Sequence, residues 1–217
     1  DPFASLNPRM TVEQIVGEPL WLHQKMNKAD RRYRVTELLK TVGLPAVWAD
    51  RFPHEFSGGQ RQRIGIARAL ASGPKLLLGD EPVSALDVSV QAQVVNLLES
   101  LKHQLGLTMI IVARGLAVIR HMSDRVAVMY LGQIVELATV DEIFDAPLHP
   151  YTQALIASAP QMQPGMERTQ PLLQGELPNP ASPPTGCRFH TRCPYVTEQC
   201  RQIEPINQVL SGGRQIA

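Results

Sequence analysis

The stretch LLLGDEPVSALD, residues 76–87, decides how the rest of the sequence is interpreted. Its apolar first half is typical of a buried strand, and this strand ends in two adjacent carboxylates, Asp80 and Glu81. In open α/β folds, ligands bind at the carboxyl edge of the sheet, where these side chains would lie. There Asp80 can hold a hydrated Mg²⁺, while Glu81 can orient or deprotonate an attacking water. The alternative is a strand end whose acidic side chains contact only solvent.

A second stretch, FSGGQRQRIGIARAL at residues 56–70, places a serine and two glycines where an amphipathic helix begins. The glycines allow the backbone to approach an anion closely, Ser57 offers a hydroxyl group, and the first amides of the helix point to the same position. An ordinary serine N-cap accounts for the stretch equally well. The helix also carries a basic face, which we expect to be solvated, formed by Arg61, Arg63 and Arg68.

The surrounding pattern predicts an α/β protein with a parallel sheet. Short apolar runs at residues 75–79 and 108–113 are typical of buried parallel strands, and residues 88–105 between them have the periodicity of an amphipathic helix. Helical periodicity also covers residues 12–43. Two strand-like runs, residues 126–130 and 133–137, flank a Leu-Gly turn and predict a hairpin.

After residue 144 the sequence is rich in proline, which excludes long helices and central strands. We therefore predict an extended tail on the surface, with one short helix at residues 151–157. The three cysteines of the chain all lie in this tail, between residues 187 and 200. An odd, clustered set argues against a disulfide framework and for a local site of the metal-binding type.

Composition restricts the possible classes of function. The chain has 217 residues, 44% of them hydrophobic, with 21 basic and 20 acidic side chains. This balance gives no net field that would attract the chain to nucleic acid or to an anionic membrane surface. The longest largely apolar run, residues 107–113, is far shorter than the ~18 residues that a membrane span needs, and no export signal opens the sequence. The sequence starts without methionine in what reads as a loop, so we expect it to be cut at its front.

In their order along the chain, FSGGQ, the strand ending in DEP, and SALD resemble the ATPase subunit of an ATP-binding-cassette (ABC) transporter. In that family the first stretch is the signature motif, residues 76–81 are the Walker B strand with its catalytic glutamate, and residues 84–87 are the D-loop. Two such domains pair head to tail, and each ATP lies between the phosphate loop of one and the signature motif of the other. The resemblance implies contacts to the opposite subunit's ATP and, at Asp87, to the dimer interface; the ATP contacts would come from Ser57, Gly58, Gly59 and Gln60.

One signal of the family is missing and another is changed. The 217 residues contain no GxxxxGK(S/T) phosphate loop and no Gly-Lys pair, so the chain as given is expected to be inactive by itself. The segment IIVARGLAV, residues 110–118, has Arg114 and Gly115 where the family has histidine and aspartate. Imidazole can relay a proton near neutral pH, whereas guanidinium stays charged and only donates hydrogen bonds. We therefore expect Arg114 to contact the γ-phosphate but to slow hydrolysis.

Two tail segments, LHPYTQALIASAP at residues 148–160 and GELPNPASPPTGCRFHTRCPYVTEQC at residues 175–200, resemble the C-terminal extension of oligopeptide and dipeptide importer ATPases. Some members of that group hold an iron–sulfur cluster there. The extension contains three soft ligands, Cys187, Cys193 and Cys200, and His190 is a further candidate if the metal is zinc. Three reduced thiols packed under a proline-rich loop are the alternative, since a missing fourth ligand weakens any such site.

The predicted fold is therefore α/β, with a partial P-loop NTPase core of the ABC type, a helical signature subdomain and a proline-rich C-terminal extension. The helical subdomain would occupy residues 1–72, the ATPase core residues 73–145, and the extension residues 146–217. The resemblance implies ATP and Mg²⁺ as cofactors.

The predicted function is ATP hydrolysis that powers the import of peptides, or of a related solute, from a peripheral position on the cytoplasmic side of the membrane. The resemblance implies Mg²⁺ at Asp80, water activation by Glu81, and Arg114 at the position of the family's histidine. The implied partners are a second ATPase subunit and transmembrane permease subunits, without nucleic acid. One alternative is a degenerate module without turnover, which Arg114 and Gly115 support. Another is a cassette ATPase that acts on DNA or ribosomes, which the near-neutral charge and the tail disfavour.

Overall fold

The computed structural model describes residues 5–158 and 175–217. The chain divides into two compact units, Asp1–Val118 and Ile119–Ala217. Part of the predicted extended tail lies outside the described residues, including its prolines at 160, 164 and 171.

Three helices form the first part of the first unit: α1 (Val12–Gln24), α2 (Lys28–Thr41) and α3 (Gly58–Ala71). The helical prediction for residues 12–43 is confirmed, although Lys25 ends α1 in the left-handed conformation and so divides the segment into two helices. Two short 3₁₀ turns, Ala46–Asp50 and Pro53–Glu55, connect α2 to α3. The three helices pack on one another around a fully or almost fully buried apolar core that includes Ile15, Val16, Leu20, Val35, Leu39 and Ile64.

The second part of this unit is the predicted strand–helix–strand segment: β1 (Leu76–Asp80), α4 (Val88–Leu105) and β2 (Thr108–Val112). The next helix, α5 (Leu116–Met122), begins in this unit and ends in the second. The two strands are parallel, with Leu76 opposite Thr108 and Asp80 opposite Val112. One face of this small sheet is apolar but open in the described residues, because Leu76, Leu78, Ile110 and Val112 are 52–68% exposed. Parallel sheets normally have both faces covered, so this face requires a cover that the described residues do not provide.

The second unit is built on an antiparallel sheet. The predicted hairpin is confirmed as β3 (Arg125–Tyr130) and β4 (Gln133–Thr139), followed by α6 (Val140–Asp145) and α7 (Pro150–Ala157), and α7 confirms the predicted short helix. After α8 (Glu198–Gln202), β5 (Gln208–Val209) and β6 (Gln215–Ile216) complete a sheet in the order β3-β4-β6-β5. The expectation that the tail contains no central strand was wrong, because the prolines end at Pro205 and leave β6 free to pair with β4 on one side and β5 on the other.

The tail also contributes to the core of this unit and does not only follow its surface. Phe189 is 1% exposed, and its ring lies 5.1 Å from the ring of Tyr130 and 5.5 Å from that of Tyr151. Tyr130 belongs to β3 and Tyr151 to α7, so the phenylalanine joins the tail to both elements. Aromatic clusters of this kind contribute through buried area and through edge-to-face contacts.

A buried ion pair connects β4, the start of α7 and β6. The Glu136 side chain is fully buried and accepts the backbone N–H groups of Leu148 and His149, each at 3.0 Å. Arg214 donates to the same carboxylate and also to the carbonyl of Ala146. Burial by itself disfavours the charged carboxylate. Hydrogen bonds from Arg214 and the two backbone amides oppose this effect of burial, and the pKa of Glu136 lies below its ordinary value of 4.5.

We predict that Arg214→Met destabilises the second unit by about 3 kcal/mol at pH 7, because it leaves a buried carboxylate without its cation. The free energy of opening of the β4 amides, measured by hydrogen exchange, reports this loss. Because the pKa of Glu136 is lowered on folding, its contribution is present above the unfolded-state pKa and is lost as pH falls through the folded-state pKa. The difference between variant and wild type should therefore shrink as pH is lowered below 4.5, the ordinary pKa of the carboxyl group.

The matched control is Arg201→Met, which removes an exposed pair with Glu198 at 3.7 Å. Exposed pairs contribute little, so a change below about 0.5 kcal/mol is expected. Equal effects of the two substitutions would contradict the assignment.

Candidate functional site

The first predicted motif forms the beginning of α3. The Ser57 hydroxyl accepts the N–H of Gln60 at 3.4 Å, and the Gln60 side-chain oxygen accepts the N–H of Ser57 at 3.0 Å. This is a capping box. The amides of Gly58 and Gly59 lie in the first turn, where an α-helix provides no backbone acceptor. The N-cap and the anion-binding interpretations therefore describe the same feature, with Gln60 engaged in holding Ser57.

Gly59 has a packing role that the sequence did not reveal. A Cβ atom at this position would lie 2.4 Å from Cγ1 of Val90, in the first turn of α4. Only glycine therefore lets α3 approach α4 this closely. The N-termini of these two helices consequently lie side by side, which brings the signature stretch next to the residues that begin α4.

Asp87 is the N-cap residue of α4. Its carboxylate accepts the N–H of Val90 at 2.9 Å and the hydroxyl of Ser89 at 2.7 Å. Both hydrogen bonds hold the pKa of Asp87 below its ordinary value, and the one from the Val90 N–H has the larger effect. The side chain is exposed and caps its own helix, so its predicted place at a dimer interface stays a prediction.

The acidic pair lies at the carboxyl end of β1. Asp80 is the last strand residue and is exposed, whereas the Glu81 side chain is 28% exposed. Glu81 has a φ of 47°, in the left-handed region that non-glycine residues seldom adopt. Its N–H donates to the carbonyl of Val112 at 2.8 Å, and its own carbonyl accepts the Ser84 hydroxyl at 3.1 Å. Uncommon backbone conformations that neighbouring hydrogen bonds hold in place cluster at functional sites.

The structure brings together two residues that the sequence placed in separate motifs. Arg114, just after β2, donates from Nε to Oε1 of Glu81 at 2.7 Å, with its own side chain 87% exposed. The neighbouring Gly115 has only Val118 near the position of a Cβ atom, at 3.7 Å, so packing does not require glycine there. Sequence patterns do not indicate this ion pair, because it depends on the register of two strands.

The three arginines on the basic face of α3 are half-buried, and they bind backbone carbonyls as well as facing solvent. Arg61 donates to the carbonyl of Phe56 at 3.0 Å, Arg63 to that of Val42 at 2.9 Å, and Arg68 to that of Ser5 at 2.8 Å. The guanidinium groups thus satisfy loop and helix-end carbonyls in the first unit. Side-chain hydrogen bonds to distant backbone are a tertiary feature that helical periodicity does not carry.

The cysteines line one cavity in the second unit. Its volume is about 330 Å³, and its lining includes His149 and all three thiols, Cys187, Cys193 and Cys200. Burial raises the pKa of Cys193, while the Thr197 hydroxyl, 3.2 Å from the Cys200 sulfur, lowers the pKa of Cys200.

Metal binding at these cysteines does not fit the observed arrangement. Within residues 5–158 and 175–217, no group of three or more His, Cys, Asp or Glu side chains is arranged to hold a metal. Nδ1 of the candidate fourth ligand, His190, lies 2.8 Å from the carbonyl of Cys187. The histidine that shares the cavity is His149, whose Nδ1 accepts the N–H of Tyr151 at 3.1 Å.

Two family models match parts of the chain: ABC transporter at residues 2–84, and the C-terminal region of oligopeptide/dipeptide transporters at residues 135–200. The oligopeptide transport ATP-binding protein OppF of Salmonella typhimurium is 56% identical over 209 residues, which are 95% of this chain and 63% of the relative. The putative oligopeptide transport ATP-binding protein YkfD of Bacillus subtilis is 51% identical over 220 residues, covering the whole chain and 67% of the relative.

A solved structure is also similar. It is a dimeric ATP-binding cassette in a post-hydrolysis state, bound to ADP and Pi, with a TM-score of 0.54 and 33% sequence identity. The match covers 62% of this chain and 59% of that one. Measured against OppF, the chain spans 63% of the length of its relative.

We predict that Gly59→Ala destabilises the first unit by about 1–3 kcal/mol, because the new methyl group overlaps Val90. The double variant Gly59→Ala with Val90→Ala removes the overlap and should recover most of this loss. Thermal unfolding measures both changes.

Gly65→Ala is the matched control on the same helix, since no atom lies within 4 Å of its Cβ position. There we expect a gain of about 0.5–1 kcal/mol from helix propensity. If Gly59→Ala were as well tolerated as Gly65→Ala, the close approach of α3 and α4 would be wrong.

Proposed function

Because the chain belongs to the ATP-binding proteins of ABC transporters, in the oligopeptide/dipeptide group, we propose that it works in an ATPase subunit that powers the import of peptides or of a related solute. The predicted α/β fold of an ABC ATPase core is confirmed by the similarity to a solved ATP-binding cassette. The activity of the whole protein is a proposal, because the chain spans 63% of the OppF sequence.

The observation that best supports this function is the acidic pair at the end of β1. We propose that Asp80, exposed at the carboxyl edge of the sheet, holds the Mg²⁺ that accompanies ATP. Glu81 accepts a proton from the attacking water, or orients it, while the γ-phosphoryl group is transferred to that water. Its backbone, held by Val112 and Ser84, keeps the carboxylate next to the metal-binding residue.

The beginning of α3 supplies the second half of a nucleotide site. The amides of Gly58 and Gly59, with the helix dipole behind them and the Ser57 hydroxyl beside them, suit an anion such as the γ-phosphate of ATP bound to the opposite subunit. Gln60 supports this end by holding Ser57. Asp87 would lie at the dimer interface, where the adjacent N-termini of α3 and α4 couple the two sites. The similar solved cassette is a dimer, which supports this arrangement.

Nucleotide binding requires more than these residues. The 217 residues contain no GxxxxGK(S/T) loop to cradle phosphates with backbone amides and a lysine. We therefore expect no hydrolysis by the chain alone. An iron–sulfur cluster or zinc ion at Cys187, Cys193 and Cys200 does not fit the described side chains, so no step of the proposed function depends on one.

We also propose a peripheral position on the cytoplasmic side of the membrane, with a second ATPase subunit and permease subunits as partners and without nucleic acid. None of the described helices combines the length and the hydrophobicity needed to cross a membrane. The three-part division at residues 1–72, 73–145 and 146–217 remains our proposal for the functional parts. The packing itself divides the chain differently, after Val118.

A degenerate module without turnover is the second candidate, and Arg114 with Gly115 is its support. The relatives are named as transport ATP-binding proteins, which does not favour it. A degenerate module would differ from an active ATPase subunit by binding nucleotide without releasing phosphate in the assembled transporter.

We predict that Glu81→Gln lowers phosphate release by the full-length polypeptide, assembled with its partner subunits, by at least about 100-fold, because the amide cannot accept a proton. Glu198→Gln, at an exposed glutamate on α8, is the control and should leave the rate unchanged. Undiminished phosphate release in the Glu81 variant would refute the assignment of the base.

We further predict that Arg114→His raises the rate in the same assembly by about tenfold, since imidazole can relay a proton and guanidinium cannot. The gain should decline below about pH 6, where imidazole becomes charged. ATP affinity measured with a non-hydrolysable analogue should change little. An Arg114→His variant without any gain in rate would refute the prediction that Arg114 slows hydrolysis.

A further inference from the structure

The ion pair between Arg114 and Glu81 is a product of strand register. Asp80 lies opposite Val112 at the ends of β1 and β2, and the Val112 carbonyl accepts the N–H of Glu81 at 2.8 Å. Arg114 follows two residues later, so its side chain starts from the same edge of the sheet. Its Nε then reaches Oε1 of Glu81 at 2.7 Å.

The backbone of Glu81 is fixed more firmly than its side chain. Val112 holds its N–H, while the backbone N–H and the hydroxyl of Ser84 donate to its carbonyl at 3.3 and 3.1 Å. A φ of 47° leaves the chain little freedom to adjust at this point. The orientation of the carboxylate therefore depends on the side-chain torsions, which the hydrogen bond from Arg114 restrains.

We propose that Arg114 is a positioning residue that holds the Glu81 carboxylate in an ion pair, and that the terminal phosphate of ATP competes for the guanidinium and so frees the carboxylate in only part of the ATP-bound molecules. This inference rests on the proposed function, in which Glu81 is the general base. Release of the carboxylate would then be linked to the arrival of the nucleotide.

The geometry suits such an exchange of partners. The pair uses one Nε hydrogen bond, and the Arg114 side chain is 87% exposed. The guanidinium can therefore leave Glu81 without losing buried packing contacts. Exposed ion pairs are weak, whereas a triphosphate offers several negative charges and the bidentate geometry that guanidinium prefers. A guanidinium cannot lose its proton, so a competing anion is needed to separate it from the carboxylate.

The experiment uses the full-length polypeptide assembled with its partner ATPase and permease subunits, with phosphate release measured over a range of Mg-ATP concentrations. Arg114→Gln removes the charge and brings no proton relay. We expect kcat to rise about three- to fivefold, which is the range that an exposed ion pair allows, and KM for ATP to rise as the phosphate contact is lost. Arg114→Lys keeps the charge without Nε, so its kcat should lie between those of wild type and Arg114→Gln, with a KM closer to that of wild type.

Salt provides a readout that a purely structural role of Arg114 would not give. Raising the ionic strength from about 0.05 to 0.3 M screens exposed charges, so the wild-type kcat should approach that of Arg114→Gln. Arg120→Gln is the matched control, because Arg120, on α5, forms an exposed ion pair with Asp145, on α6, at 3.1 Å. Its kcat and its salt dependence should be those of wild type.

Three results separate failure of this inference from failure of the proposed function. If Arg114→Gln leaves kcat unchanged or lowers it, while Glu81→Gln abolishes phosphate release, the restraint is refuted and the ATPase assignment stands. The same conclusion follows if Arg114→His raises kcat and Arg114→Gln does not, since imidazole chemistry alone would then explain the gain. If Glu81→Gln leaves phosphate release intact, both the base and its restraint are refuted.

Discussion

The parallel pairing of β1 with β2 is the constraint on which the proposed catalytic edge depends. The register that sets Asp80 opposite Val112 also lets the Val112 carbonyl hold the N–H of Glu81, in a backbone conformation that glutamate seldom adopts. A shift of register would separate Glu81 from the residue that follows β2 and would remove the ion pair with Arg114. Because side chains alternate along a strand, the same register places Leu76 and Leu78 on the open face and leaves the intervening Leu77 on the other.

Close helix packing connects this edge to the beginning of α3. Gly59 allows α3 to approach Val90 on α4, and the residue that caps α4 is Asp87. Two helix N-termini, each with unsatisfied backbone amides and a positive dipole end, therefore lie next to each other. A single helix N-terminus is weak evidence for a phosphate site. The order of the motifs and the family to which the chain belongs provide the further support for such a site here.

The second unit depends on a different kind of interaction. Glu136 is a fully buried carboxylate that accepts hydrogen bonds from two backbone amides and Arg214, and so links the hairpin, the HPY segment (residues 149–151) and the end of the chain. Buried charges remain only where hydrogen bonds and a counter-ion compensate for lost hydration. The histidine and tyrosine of the HPY segment contact Phe189, which gives this sequence signature a structural role in joining the tail to the sheet.

The sequence by itself determined the type and position of the main elements, because the period of apolar residues changes from helix to strand and the turn residues mark the ends. It also determined the family, since the order of FSGGQ, DEP and SALD is specific. The sequence did not show that Arg114 would contact Glu81, that Gly59 is required by Val90, that the α3 arginines hold backbone carbonyls, or that Gln215 and Ile216 form a central strand. Each of these depends on residues far apart in the chain that meet only when strands pair or helices pack. Local periodicity carries no information about such distances, so the tertiary structure alone decided them.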